Sequence, residues 1–159
     1  MKKIALLLLV FTSYIGFAQN TAYTVTSFLQ EGPKAPNTHY IGEAWLNSVL
    51  QGDSELNYNI TKATFRKNST LDWHKHATPQ VLIILEGEGY YQEKGKAPIS
   101  IKKGDVVRCP KEVEHWHTAS KESLVTYLAI YDGSKPTVWT DKLTQEYYDG
   151  VAKQLEKNK

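Results

Sequence analysis

Two short stretches of this chain concentrate side chains that bind metal ions. His74 and His76 are followed by a carboxamide at Gln80, and Val113-Glu114-His115-Trp116-His117 holds a second histidine pair. Four of the five histidines thus fall in two tight clusters, and only His39 stands apart. An extended chain sends successive side chains to opposite faces, so His74, His76 and Gln80 share a parity and can project into one cavity if Pro79 leaves the register intact. Neutral imidazoles and an amide oxygen are ligands for a divalent cation.

The strands that must carry these side chains are legible in the pattern. Residues 56–67 alternate, with Asn57, Asn59, Thr61, Ala63 and Phe65 on one face and Leu56, Tyr58, Ile60, Lys62, Thr64 and Arg66 on the other, which predicts a long strand. Residues 40–50 read as a strand, or a strand with a turn, ending at the turn signal Gln51-Gly52-Asp53. Residues 81–85 are apolar and β-forming, Glu86-Gly87-Glu88-Gly89 reads as a turn, and Tyr90-Tyr91-Gln92-Glu93 as the returning strand of a hairpin closed by Gly95. Residues 99–102 and 106–109, joined by Lys103-Gly104-Asp105, predict a second hairpin with Pro110 at its exit. His115 opens a further strand, and residues 123–131 form the last clear one, with Val125, Tyr127, Ala129 and Tyr131 on one face. The tail then changes period. Leu143, Tyr147, Val151 and Leu155 recur every four residues, predicting an amphipathic helix capped by Thr140 or Asp141. Many short strands and one terminal helix indicate an all-β barrel or sandwich.

The first residues stand outside this pattern. Met1-Lys2-Lys3 is a positive start, residues 4–17 are mainly apolar, and Gly16 and Ala18 put small residues where a signal peptidase inspects the chain. Residues 1–18 are therefore expected to be a signal peptide cleaved after Ala18, which places the mature protein in the periplasm or medium, away from the membrane. Residues 19–37 read as a polar arm with one edge strand at 23–28, and residues 38–159 as a single domain. Without Lys2 and Lys3, basic and acidic side chains balance at 17 each, so charge offers nothing to nucleic acid. Cys109 is the lone cysteine and is expected to be a small buried hydrophobe.

The two histidine stretches resemble the two motifs of the cupin superfamily, small jelly-roll barrels that hold a metal inside. The first motif is His-x-His, three or four residues, an acidic ligand, six residues and Gly; here it reads His74, His76, Gln80 and Gly87. In the second, Gly104, Pro110 and His115 match in register, while Glu112 stands where the family has Gly and Ala119 where it has Asn. The resemblance implies an all-β cupin jelly-roll barrel with a short C-terminal helix, and a divalent cation held by His74, His76, Gln80 and His115. Gln80 in the acidic position, the Trp-His-x-His entry and the His115-Trp116-His117 signature narrow it to the small bacterial cupins that include the manganese-dependent hydroxynitrile lyases, relatives of which associate with carboxymuconolactone decarboxylase-type domains. The likeness spans about residues 38–148. It implies Mn²⁺ first, with Fe²⁺, Zn²⁺ or Ni²⁺ also compatible with such donors. Three neutral imidazoles and one amide leave the ion's charge uncompensated, so this site is a stronger Lewis acid than one with a carboxylate.

The same resemblance distributes further roles. Those lyases place a proton-handling histidine where this chain has Tyr127, which becomes the candidate catalytic group, a phenol able to donate to an oxyanion or move a proton. Thr61, Ala63, His117 and Tyr131 are expected to line the substrate cavity, and Trp73 and Trp116, from their place beside the candidate ligands in sequence, to wall it. The expectation is an exported metal-dependent enzyme of lyase type acting on a small polar organic molecule. An Fe-dependent dioxygenase, a sugar-acid converting cupin and a non-catalytic periplasmic ligand- or metal-binding module are the competing readings. A homo-oligomer, paired through the edge strand of the arm, is the expected assembly.

Overall fold

The computed structural model describes residues 25–157. The expected signal peptide with its cleavage point, residues 19–24 of the arm and the final two residues lie outside the described residues. The described part of the arm strand, 25–28, has no regular structure. Among the described residues, no helix is long and apolar enough to cross a membrane.

The described elements run β1 (Tyr40–Ile41), β2 (Ala44–Leu50), β3 (Tyr58–Phe65), β4 (Thr70–Leu71), β5 (His74–Lys75), β6 (Gln80–Glu93), β7 (Ile99–Lys102), β8 (Val106–Cys109), β9 (His115–Ala119), β10 (Val125–Asp132), β11 (Val138–Trp139) and α1 (Gln145–Glu156). One sheet follows the order β11-β5-β9-β6-β10-β3-β2, with β7 and β8 also on β6, and β1 pairs with β4 apart from it. This curled antiparallel sheet with one terminal helix is the all-β jelly-roll expected from the sequence. The segment before β2 breaks as anticipated, at Gly42, whose φ of 85° lies in the region glycine favours.

The two expected hairpins are replaced by one longer one. β6 is a single 14-residue strand through residues 86–89. Its first half pairs with β10 and β8 and its second with β9 and β7, so it carries the chain around a corner of the barrel. Gly87 and Gly89 are needed for close approach: a Cβ on either would strike the carbonyl oxygen of Leu124 or Thr118. Both partners are distant in sequence, which is why the glycines read locally as a turn. The true hairpin turn is at 94–98, where Lys96 N–H donates to Glu93 O at 3.0 Å and Gly95 has φ 79°. β7 and β8 form its returning arm, kinked at 103–105 to follow the bend in β6, with Gly104 N–H donating to Ile84 O at 2.9 Å.

The bend also changes parity. Opposite β10 the register slips so that Thr126 faces Glu86 but Tyr127 faces Ile84. One extra residue in a strand exchanges its faces. Gln80 therefore points into the barrel before the bend, whereas after it Tyr91 and Glu93 share a face with His117 and His115, and Gln92 shares the other with Trp116.

The helix begins later than its apolar period suggested. Thr144, and neither Thr140 nor Asp141, is the N-cap, accepting from Tyr147 N–H through its hydroxyl. Of the expected stripe, Leu143 and Val151 are buried and Leu155 packs against the core, while Tyr147 is half-exposed and Tyr148, with Ala152, is buried in its stead. Tyr148 anchors it, its hydroxyl donating to Ala119 O at 2.9 Å.

Candidate metal and proton-transfer site

His74 lies on the two-residue strand β5, directly opposite His115 of β9. His76 follows that strand by one residue, and Gln80 opens β6 after the 77–79 loop, so Pro79 interrupts the strand without removing any of the three from the cavity they line. Across from them, β10 supplies Tyr127, Ala129 and Tyr131, and β3 supplies Ala63 and Thr61 in register with Tyr127 and Ala129. Thr61, Ala63, His117, Tyr127 and Tyr131 thus all line the cavity as expected. His115 is fully buried and is not part of the cavity wall, its ring 4.5 Å from that of His74.

Hydrogen bonds fix which nitrogens face inward. His74 Nδ1 donates to Asp72 O at 3.0 Å and His115 Nδ1 to Val113 O at 2.9 Å, both acceptors being backbone carbonyls. Each ring therefore presents an unprotonated Nε2 to the site. His115 Nε2 then meets Gln80 Oε1, another acceptor, at 3.2 Å. Either the amide turns its NH₂ to the ring or a cation lies between the two lone pairs. His76 Nε2 and His117 Nε2 are buried without a protein partner, and ligand atoms of His74, His115 and His117 lie within 4.8 Å of one another. Convergent lone pairs and orphaned ring nitrogens fit a bound cation. Burial and mutual proximity keep the rings neutral, as ligands must be. His74 and His117 are driven well below the usual histidine range, first by desolvation and then by their neighbours, and His76 falls to about 4 for the same reasons.

Tyr127 is held by His117, the two joined through its hydroxyl and Nδ1 at 2.8 Å. Desolvation pushes this phenol well above its ordinary value, so it is neutral at physiological pH. His117 stands beside the candidate ligands and is also the partner of the candidate catalytic phenol, a dual position that parity alone did not reveal.

Trp73 and Trp116 do not wall the cavity. They have the opposite parity to His74 and His117 and pack edge to face under α1, with Trp116 Nε1 donating to Gln92 Oε1 at 3.1 Å. Tyr40, Leu46, Leu71 and Thr137 line the cavity as well, none anticipated as site residues. Thr137 precedes β11, whose Trp139 pairs with His74 across the strands; no local pattern announces that contact. His39, the histidine left apart, contacts Asp72 at 3.1 Å and stacks on Trp139. Asp72 thereby ties the loop to the site: its carboxylate also accepts Leu143 N–H at 3.0 Å while its own carbonyl orients His74. Cys109 is buried as expected, with burial raising its thiol to about 12.

Glu112, in the position where the motif has Gly, keeps a left-handed φ of 59°. Its N–H donates to His76 O at 2.8 Å and its carboxylate pairs with Lys75 at 2.9 Å. Glu112 thus adopts the left-handed backbone that glycine takes freely.

Comparison with known proteins gives the same family. The Cupin domain family matches residues 62–131. The (R)-mandelonitrile lyase of Granulicella tundricola is 30% identical over 121 residues, 75% of this chain and 92% of that protein. A cupin-like protein of Thermotoga maritima superposes with a TM-score of 0.73 at 30% identity, covering 79% of this chain and 96% of the other. The acireductone dioxygenase of Gallus gallus is 28% identical over 61% of this chain, which spans about half the length of that enzyme.

Proposed function

The chain belongs to the cupin superfamily, and from that premise we propose that it is a metal-dependent lyase acting on a small hydroxyl- or carbonyl-bearing molecule. His74, His76, Gln80 and His115 would hold the cation, Mn²⁺ in the first place. The observation that carries the reading is the meeting of acceptors at His115 and Gln80 beside the orphaned Nε2 of His76. A divalent ion there would polarise the substrate oxygen as a Lewis acid.

The chain's own residues handle the proton. With Nδ1–H donated to the Tyr127 oxygen, His117 keeps its Nε2 lone pair in the cavity as a base, and the Tyr127 hydroxyl proton is free to be given up. The pair can take the proton of a substrate hydroxyl at Nε2 and return one from Tyr127 to the carbon fragment that leaves with the electrons of the broken C–C bond. Nδ1–H then moves to Tyr127, which restores the phenol and leaves His117 as its Nε2–H tautomer; exchange with solvent, one proton lost at Nε2 and one gained at Nδ1, returns the starting form. Similarity to a mandelonitrile lyase supports this bond class.

The test separates ligands from the proton pair. Manganese content by mass spectrometry is expected near one ion per chain and below about a tenth of that in His115→Ala. His117→Phe should retain the metal while turnover of a 2-hydroxynitrile falls about 100-fold or more. Loss of metal from His117→Phe makes His117 a ligand and overturns its assignment as the base. Similarity to acireductone dioxygenase supports a second reading, oxygen chemistry with Fe²⁺; oxygen consumption by the iron-loaded protein favours it over the lyase.

Two coarser proposals accompany this one. The leader pattern of residues 1–18 supports export, and a mature protein beginning at Gln19 in the periplasmic or secreted fraction tests it. The exposed Val25 and Leu29 on the arm, near edge strand β2, support a homodimer, which a monomeric mass by light scattering overturns.

A further inference from the structure

The cavity beside the histidines is small and carries no charged wall. Its volume is about 100 Å³, and among the described residues no Lys, Arg, Asp or Glu lines it. For comparison, a dry cavity of about 150 Å³ is what accommodates benzene. Part of its wall is phenolic, supplied by Tyr40, Tyr127 and Tyr131. Tyr131 is hydrogen-bonded to Thr61 Oγ1 at 3.2 Å, and its ring lies 5.5 Å from that of His76. Desolvation, followed by the proximity of Tyr131, pushes the Tyr40 phenol to about 12, so this part of the wall resists negative charge.

The same Tyr131 also lines a second cleft, of about 230 Å³, together with Thr78, Pro79 and Asp132. Thr78 there has a buried hydroxyl with no protein partner. Tyr131 thus borders both the cavity and the larger cleft, and its bond to Thr61 ties it to the neighbouring strand β3.

We infer that Tyr131 sets the substrate class, restricting the site to compact, uncharged, non-aromatic hydroxyl or carbonyl compounds. The oxygen sits at the histidine end, where a cation would lie, and the rest must fit among methyl groups and phenols. A dianion would bury its second charge against the tyrosines with no counter-ion, which is costly. A phenyl group needs the volume of the larger cleft that Tyr131 also borders. The inference rests on the metal-site reading given above and differs from the aromatic substrate in that relative's name.

Three matched probes test it by calorimetric titration of the manganese-loaded protein: hydroxyacetone, 2-hydroxyacetophenone and tartronate. Hydroxyacetone is expected to bind at least about tenfold more tightly than the aromatic ketone. It should hold a similar margin, about tenfold, over the dianion. Tyr131→Ala should bring 2-hydroxyacetophenone to within about threefold of hydroxyacetone with metal content unchanged. If that variant fails to fold, Tyr131→Phe, which keeps the ring but frees it from Thr61, is expected to narrow the same gap part of the way. Equal binding of the two ketones by the metal-loaded wild type, or tighter binding of tartronate, overturns the inference and leaves the metal site standing. Metal content is measured first: failure to load overturns the metal reading instead, and the ketone pair titrated into the metal-free protein then reads the role of Tyr131 alone.

Discussion

The two faces of β5 and β9 are built on opposite principles, although neighbouring residues supply them. On one face His74 and His117 look into the cavity, where His76 Nε2 and His117 Nε2 have no protein partner. On the other, Trp73 and Trp116 pack beneath α1, and the polar atoms there are bonded: Trp116 Nε1 and Tyr147 hydroxyl both donate to Gln92 Oε1, and Gln92 Nε2 donates to Lys96 O. A buried polar atom without a partner costs stability, and a bonded one does not. The helix face therefore stabilises the barrel, and the cavity face keeps donors uncommitted for a ligand. All five residues of β9 are buried because one strand separates the two.

This division predicts different outcomes on its two sides. The largest effect belongs to the helix face: Trp116→Ala should cost about 3–5 kcal/mol in chemical denaturation, since its fully buried ring leaves a cavity. Next comes the metal itself. Loading the wild type at about 100 times its Kd should stabilise it by about 3 kcal/mol, and His115→Ala should show no such gain. Gln92→Ala should follow at about 1–3 kcal/mol, because Trp116 Nε1 loses its acceptor while the half-exposed Tyr147 can turn to water. On the cavity face, His76→Leu in the metal-free protein should change stability by less than about 1 kcal/mol, the lost polar atom having had no partner. Equal costs for Gln92→Ala and metal-free His76→Leu would erase the contrast. The smallest change is at Glu112, where glycine relieves the left-handed backbone by about 1 kcal/mol and the exposed pair with Lys75 returns only part of that, so Glu112→Gly should raise the melting temperature slightly.

Spacing alone determined much of this protein. The shared parity of His74, His76 and Gln80, and the alternation that puts Thr61 and Ala63 on one face of their strand and Tyr127 and Tyr131 on one face of theirs, depend only on the two-residue period of a strand, while His115 joined the set through its register in the second cupin motif. That period is local, so it can be read without the fold. The tertiary structure decided what depends on distant partners. Gly87 looked like a turn because its reason, the Leu124 carbonyl, lies far along the chain. Trp73 and Trp116 were assigned to the cavity by proximity in sequence, yet parity sends them under a helix whose register was itself set by the Thr144 cap. The Thr61–Tyr131 bond joins residues 70 apart. The amino-acid order could name candidate metal-binding side chains, but only the closed barrel could say which other residues line the cavity with them.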